Sequence, residues 1–241
     1  MKKAVLLFSL ILGLSAIGLR AQTAEDIIAK SIAATGGIEK IKALNSMKMT
    51  GNFMTMGMEV PFTVLSKRPL MTRMETSVQG MSFIQAYDGS TAWSINPFMG
   101  SKEPEVMSED QAKDIIERAD FDGDFVDYKV KGHVIELAGK DEVEGSPVFK
   151  LKVTKKTGDV SVYFIDAENY LPIKIVSKTK TQGNEVEAET VLGNYKAVAG
   201  VQMPHSIETR SGGKTVAQIV IEKVETNIPI DNSIFVMPKK K

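Results

Sequence analysis

His133 and His205 are the only histidines in the chain, 72 positions apart, and there is no cysteine. Neither stands in the His-Glu-x-x-His pattern that would hold zinc on a helix, and no Gly-x-Ser-x-Gly elbow offers a nucleophile. Each reads as a strand-edge residue. With 30 Asp and Glu in total, no pair of carboxylates can be singled out as general acid and base. The run Asp120-Phe121-Asp122-Gly123-Asp124-Phe125-Val126-Asp127 has the look of a calcium loop. Such a loop needs Gly sixth and a bidentate Glu twelfth, whereas Gly123 is fourth and Lys131 twelfth. It reads instead as a solvated acidic connection, with Phe121 and Phe125 turned inward. Gly212-Gly213-Lys214-Thr215 echoes the end of a phosphate loop, but Glu208 stands where the first Gly belongs and no helix pattern follows, so a hairpin turn explains it. A hydrolase of a hydrophobic substrate using carboxylates or His133 would lack an evident nucleophile with its base. No metal and no cofactor is expected.

What the chain concentrates is pliable apolar surface. Ten of its 13 methionines lie between positions 47 and 107: Met47, Met49, Met54, Met56, Met58, Met71, Met74, Met81, Met99 and Met107. Methionine is unbranched and polarizable, so it either fills gaps in an ordinary core or lines a surface that repacks around variable acyl chains. The company of Phe62, Phe83, Trp93 and Phe98 favours a pliable apolar cavity.

The elements that must position these residues follow from periodicity. Thr23-x-x-Asp26 has capping-box spacing, and Ile27, Ile28 and Ile32 share a helical face before Gly36-Gly37 ends it. Ile38, Ile41 and Leu44 continue as a short second turn or helix. From Ser46 the period becomes two, giving strands near 47–54, 60–67, 71–78, 81–87, 91–96, 133–138, 147–154, 160–166, 171–178, 185–193, 202–209 and 215–224. Turn signals at Asp88-Gly89, Gly158-Asp159, Gly183-Asn184, Ala199-Gly200 and Gly212-Gly213 make consecutive strands antiparallel hairpins. Asn96-Pro97 stops the strand that carries the single Trp. A meander this long curls, and its concave apolar face needs cover. Residues 108–119 supply a helix, with Ser108 and Gln111 as a cap and Ala112, Ile115, Ile116 and Ala119 on one face. It interrupts the meander, so it lies across the sheet, as a lid or as a plain packing helix.

Lys2 and Lys3, the apolar run Ala4–Leu14 and then Ser15, Gly18 and Ala21 have the order of a secretory signal, cleaved after Ala21. Residues 22–241 then form one domain, as Gly and Pro are scattered as single turn markers. Without cysteine there is neither a disulfide nor a lipid-attachment site. Basic and acidic residues number 30 each, and removing the leader leaves a slight acidic excess, which argues against a nucleic-acid partner. Lys239-Lys240-Lys241 is a solvated tail.

Lys67-Arg68-Pro69, the block Asp88-Gly89-x-Thr91-x-Trp93-x-x-Asn96-Pro97-Phe98, and Ile230-Asp231 with Phe235 and Pro238 together resemble the LolA-like periplasmic lipoprotein carriers. The resemblance covers about half of the chain. It departs where the family places an aromatic pair, since Leu70, Met71 and Arg73 follow Pro69 here. It implies a mainly β fold with α: a curved antiparallel sheet forming an incomplete, half β-barrel closed by a helical lid. It further implies a non-enzymatic periplasmic carrier, soluble after signal cleavage, that binds lipoprotein acyl chains or another lipid. Its partners would be an inner-membrane extraction complex and an outer-membrane acceptor. Phe62, Met74, Phe83, Trp93, Ile95, Phe98, Ile115 and Ile116 are the expected cavity lining. Arg68, by the same resemblance, hydrogen-bonds to the lid and takes part in hand-over, so Arg68→Leu should weaken cargo delivery more than folding. The alternatives are a lipid-binding periplasmic sensor and a carrier of a different hydrophobic ligand.

Overall fold

A computed structural model describes residues 22–55, 57–181 and 184–239. The expected leader, Met56, Gly183 of the Gly183-Asn184 turn and the last two lysines lie outside them. Thirteen strands form one antiparallel sheet: β1 (Ser46–Thr55), β2 (Met58–Lys67), β3 (Met71–Val78), β4 (Met81–Tyr87), β5 (Ala92–Ile95), β6 (Glu105–Val106), β7 (Val134–Val143), β8 (Ser146–Thr154), β9 (Val160–Asp166), β10 (Pro172–Thr181), β11 (Asn184–Val198), β12 (Val201–Ser211) and β13 (Lys214–Thr226). The order is β6-β5-β4-β3-β2-β1-β13-β12-β11-β10-β9-β8-β7. Two meanders therefore join through β1 and β13. The sheet is open and curved, not closed into a barrel.

Among the described residues three α-helices accompany it: α1 (Ala24–Thr35), α2 (Ile38–Lys42) and α3 (Glu109–Ala119). The α1 cap is reciprocal, with Asp26 N donating to Thr23 Oγ1 at 3.2 Å and Thr23 N to Asp26 Oδ2 at 3.1 Å. Ser108 and Gln111 do the same for α3. Each box satisfies two amides that a helix start leaves without an intrahelical partner. Gly36 ends α1 at φ +130°, and a Cβ there would stand 2.3 Å from Gly200 O, so only glycine lets α1 meet the β11–β12 turn so closely.

The register assigns each strand residue to a face. Ala92, Tyr87 and Thr72 pair across β5, β4 and β3, and Phe149, Ile165, Leu151 and Tyr163 pair across β8 and β9. These face the helices. Ala92 packs with Ala112 and Ile115 of α3; Phe149, Leu151 and Ile165 pack with Ile27 and Ile28 of α1; Val201 packs with Ile41 and Leu44 at α2. We call this the inner face. The segment after β13 crosses the opposite, outer face, where Trp93 Nε1 donates to Phe235 O at 2.7 Å and Arg73 Nη1 to Ile234 O at 3.1 Å.

Several expectations are refined. The Asp88-Gly89 hairpin turns one residue later, because Asp88 N donates to Thr91 O while the Asp88 carboxylate accepts from the Ser90 and Thr91 amides. Gly89 thereby takes the positive φ of the first turn position. β7 runs past position 138 to Val143 through an irregularity at Leu137/Gly139. β6 has only two residues and leaves no periodic signal. His205 is no strand-edge residue: it is buried within β12, an interior strand.

Candidate functional site

Between the helix-covered margins, the inner face carries three apolar rows. One runs Leu192, Ile207, Ile219, Phe53 and Val60 across β11, β12, β13, β1 and β2. The next runs Ile221, Gly51, Phe62, Thr76 and Phe83 into β4. A third runs Val224, Met49, Val64 and Met74. Leu192, Ile207, Ile219, Phe53, Phe83, Met49, Val64 and Met74 are only half-buried. An ordinary core would bury them, and at ~25 cal/mol per Å² of apolar surface a covering ligand gains by contacting them.

Charge separates the two faces. On β1–β5 and β9–β13 the inner-facing side chains whose placement is described include two Lys, Lys196 and Lys214, and no Arg, Asp or Glu. The outer face of the same sheet holds Arg73, Glu75, Lys174, Glu189 and Glu208.

The expected lining splits between the faces. Phe62, Met74 and Phe83 stand together on the inner face, and Ile115 of α3 is buried against it. Trp93 and Ile95 pair with Ala86 and Ile84 and point to the outer face, so the sheet separates them from Phe62. Trp93 is 1% exposed beneath the C-terminal segment. Phe98 lies on a short 3-10 turn at 50% exposure, and Ile116 is on the outward side of α3 at 40%. Three surface grooves, of about 810, 390 and 480 Å³, are lined by none of these eight. Missed in the sequence were Phe53, Leu192, Ile207 and Ile219, whose alternation was visible but whose shared row depends on long-range register.

Arg68 is built in more deeply than a turn arginine. Its Nε donates to Leu44 O at 2.7 Å and its Nη2 to Ile41 O at 3.1 Å, the carbonyls at the end of α2. The other edge of the fork meets both oxygens of Asp122, just beyond α3, and the guanidinium lies 4.8 Å from the Phe121 ring centre. The Asp122 carboxylate holds the Arg68 pKa above its ordinary value against the opposing effect of burial. A planar fork suits this combination of carbonyls and a carboxylate.

The acidic run after α3 is therefore fastened rather than solvated. Asp120 pairs with Lys131, Asp122 with Arg68, Asp124 with Lys155 at 3.6 Å, and Asp127 with Lys42. Tyr163 Oη donates to Asp124 at 2.6 Å; burial, then this carboxylate, pushes the phenol well above its usual pKa. Phe125 packs on Tyr163 with centroids 4.9 Å apart, and Phe121 joins the Ile41 cluster. His133 Nε2 stands 3.9 Å from Asp124. Two further pairs tie α3 to the β8–β9 turn: Lys113 to Asp159 at 2.6 Å and Glu117 to Lys155 at 3.0 Å.

No family model and no curated relative matches the sequence. Solved structures do. A LolA superfamily protein from Nitrosomonas europaea matches with a TM-score of 0.60 at 16% identity, over 90% of this chain and 98% of that one. The chain has a LolA-like fold. A DUF1329 family protein from Desulfovibrio piger matches at TM-score 0.64 and 12% identity, again over 90% and 98%. A putative outer membrane lipoprotein-sorting protein domain from Vibrio parahaemolyticus matches at 0.58 and 12%, over 88% and 97%. The LolA-like likeness thus spans both meanders and the helices, whereas the sequence blocks that resembled the family covered about half of the chain. Among the described residues no helix is long and apolar enough to cross a membrane.

Proposed function

We propose that this protein is a periplasmic carrier that takes up the acyl chains of lipoproteins or of another lipid on the inner face and moves them toward the outer membrane. The observation that carries the reading is the band of half-buried apolar side chains, from Leu192 to Phe83, on a face almost without charge. Burying acyl chains there yields ~0.8 kcal/mol per methylene, enough to hold a lipid through water without any covalent step. The LolA-like fold agrees with that role. Release then needs a partner, and an inner-membrane complex that loads the carrier and an outer-membrane acceptor that empties it fit the cycle.

Arg68 and the fastened 120–127 segment are the parts we assign to control of the covered end. α3 is the lid: it rests on β3–β5 through the apolar contacts of Ala112 and Ile115 with Ala92, and reaches the β8–β9 turn through the Lys113–Asp159 and Glu117–Lys155 pairs.

The reading is tested by native mass spectrometry with lipid extraction on protein purified from the periplasm without detergent. Acyl-bearing species should co-purify with the wild type and be lost from a folded Ile219→Lys, Ile207→Asp double variant. Protein that carries no lipid, in cells whose lipoproteins reach the outer membrane normally without it, would refute the carrier assignment.

A further inference from the structure

Arg118, at the end of α3, is a cation that reaches the apolar floor from the helix side. Its Nη1 lies 3.3 Å from the sulfur of Met74, an inner-face residue of β3, and no carboxylate of the described residues pairs with it. The other basic partners around the lid are engaged: Lys113 with Asp159, Lys155 with Glu117 and Asp124, Arg68 with Asp122, Lys131 with Asp120. A thioether is a weak acceptor, so most donors of the Arg118 fork are left to water or to a ligand. The guanidinium is exposed, which places it at the edge of the trough where a head group stays wet while its chains do not.

The floor sets the other half of the ligand. The row Leu192, Ile207, Ile219, Phe53, Val60 spans five strands, and at ~4.8 Å per strand it is wider than a single acyl chain. From these two features, and resting on the lipid-binding reading above, we propose that the inner face takes a diacyl lipid with a phosphodiester head, the phosphate held by Arg118 and the chains lying on the rows behind Met74. Arginine reads phosphate with two parallel bonds, which a neutral diacylglycerol with the same chains cannot accept.

The experiment is a competition on the intact mature protein with phosphatidylglycerol, diacylglycerol of identical chains, and palmitate, each displacing a fluorescent apolar probe. Phosphatidylglycerol should bind about tenfold more tightly than diacylglycerol, as a bidentate charge-assisted contact would give. Arg118→Gln should erase that preference and leave diacylglycerol unchanged, and Arg118→Lys should restore part of it. Equal affinities in the wild type, or a preference that survives Arg118→Gln, overturns the head-group assignment and leaves the carrier reading standing. Palmitate binding as tightly as phosphatidylglycerol overturns the diacyl assignment. A probe that never binds overturns the binding face itself, and this inference with it.

Discussion

Arg68 and Asp122 meet as a two-point ion pair that joins the β2–β3 connection to the segment following α3, with side chains only 25% and 11% exposed. The same guanidinium holds the last carbonyls of α2. One side chain thus links two of the covering segments to the sheet. Removing it leaves Asp122 withdrawn from water without a counter-charge, and we expect Arg68→Leu to cost about 3 kcal/mol, as for one-sided removal of a buried pair. This exceeds what a role confined to cargo hand-over would give. Urea denaturation of Arg68→Leu, Asp122→Asn and the double variant checks it: the double variant should be more stable than the sum of the single losses predicts. Strict additivity would show that the pair does not hold the fold.

Phe235 is fully buried, and its carbonyl accepts from the only Trp of the chain. Phe235→Ala should cost about 3 to 5 kcal/mol through the cavity it leaves. Because Trp93 lies beneath this segment on the outer face, its emission should shift to the red in the variant while the far-ultraviolet signature of the sheet persists. Unchanged emission would mean that the C-terminal segment does not shield Trp93 in solution.

Twelve of the thirteen strands and all three helices follow from alternation, caps and turn residues, since a two-residue period and the Thr23 and Ser108 boxes are local signals. The candidate site was less legible. Residue type groups Phe83 with Trp93, yet the β4–β5 hairpin pairs odd positions with even ones, as in Ala86 with Trp93. Two odd-numbered residues flanking an even-length turn face opposite ways, so that separation was available from the sequence. What was not available is the join of β1 to β13, which brings Phe53 beside Ile219 from 166 positions away. The ties of the 120–127 segment are of the same kind: Arg68, Lys42 and Lys155 come from three other elements, and an acidic run alone cannot name them.

The half-buried rows and the buried margins should respond differently to substitution. Ile219→Lys places a charge on the floor of the trough, where water is close, and should lower apolar-probe affinity at least tenfold with a modest change in stability. Leu151→Ala, under α1 and fully buried, should cost about 2 to 5 kcal/mol and leave probe affinity per folded molecule unchanged. Fluorescence titration combined with urea melts separates the two effects. Should Ile219→Lys bind the probe as the wild type does, the inner face is not the binding surface.

The pairs that tie α3 to the β8–β9 turn give the lid a pH dependence whose sign is fixed. Asp159 titrates below its ordinary pKa, chiefly because Lys113 donates to it and then because Thr157 does. A carboxylate with a depressed folded pKa stabilises the closed arrangement above its unfolded pKa and loses that contribution as pH falls through the folded one. Lys113 is raised by the same contact, so its contribution holds through neutral pH and fades only as alkaline pH passes the raised value. The fastening should therefore hold from about pH 4 to about pH 10 and loosen on the acid side. The chain has no cysteine, so Glu109→Cys with Lys156→Cys gives an unambiguous pair of sites for spin labels. The label distance should lengthen below about pH 4 while circular dichroism still reports the sheet, and Asp159→Asn should lengthen it at neutral pH. A distance unaffected by both acid and Asp159→Asn would show that α3 is held by its apolar contacts with Ala92 alone, and that the ion pairs are not the latch.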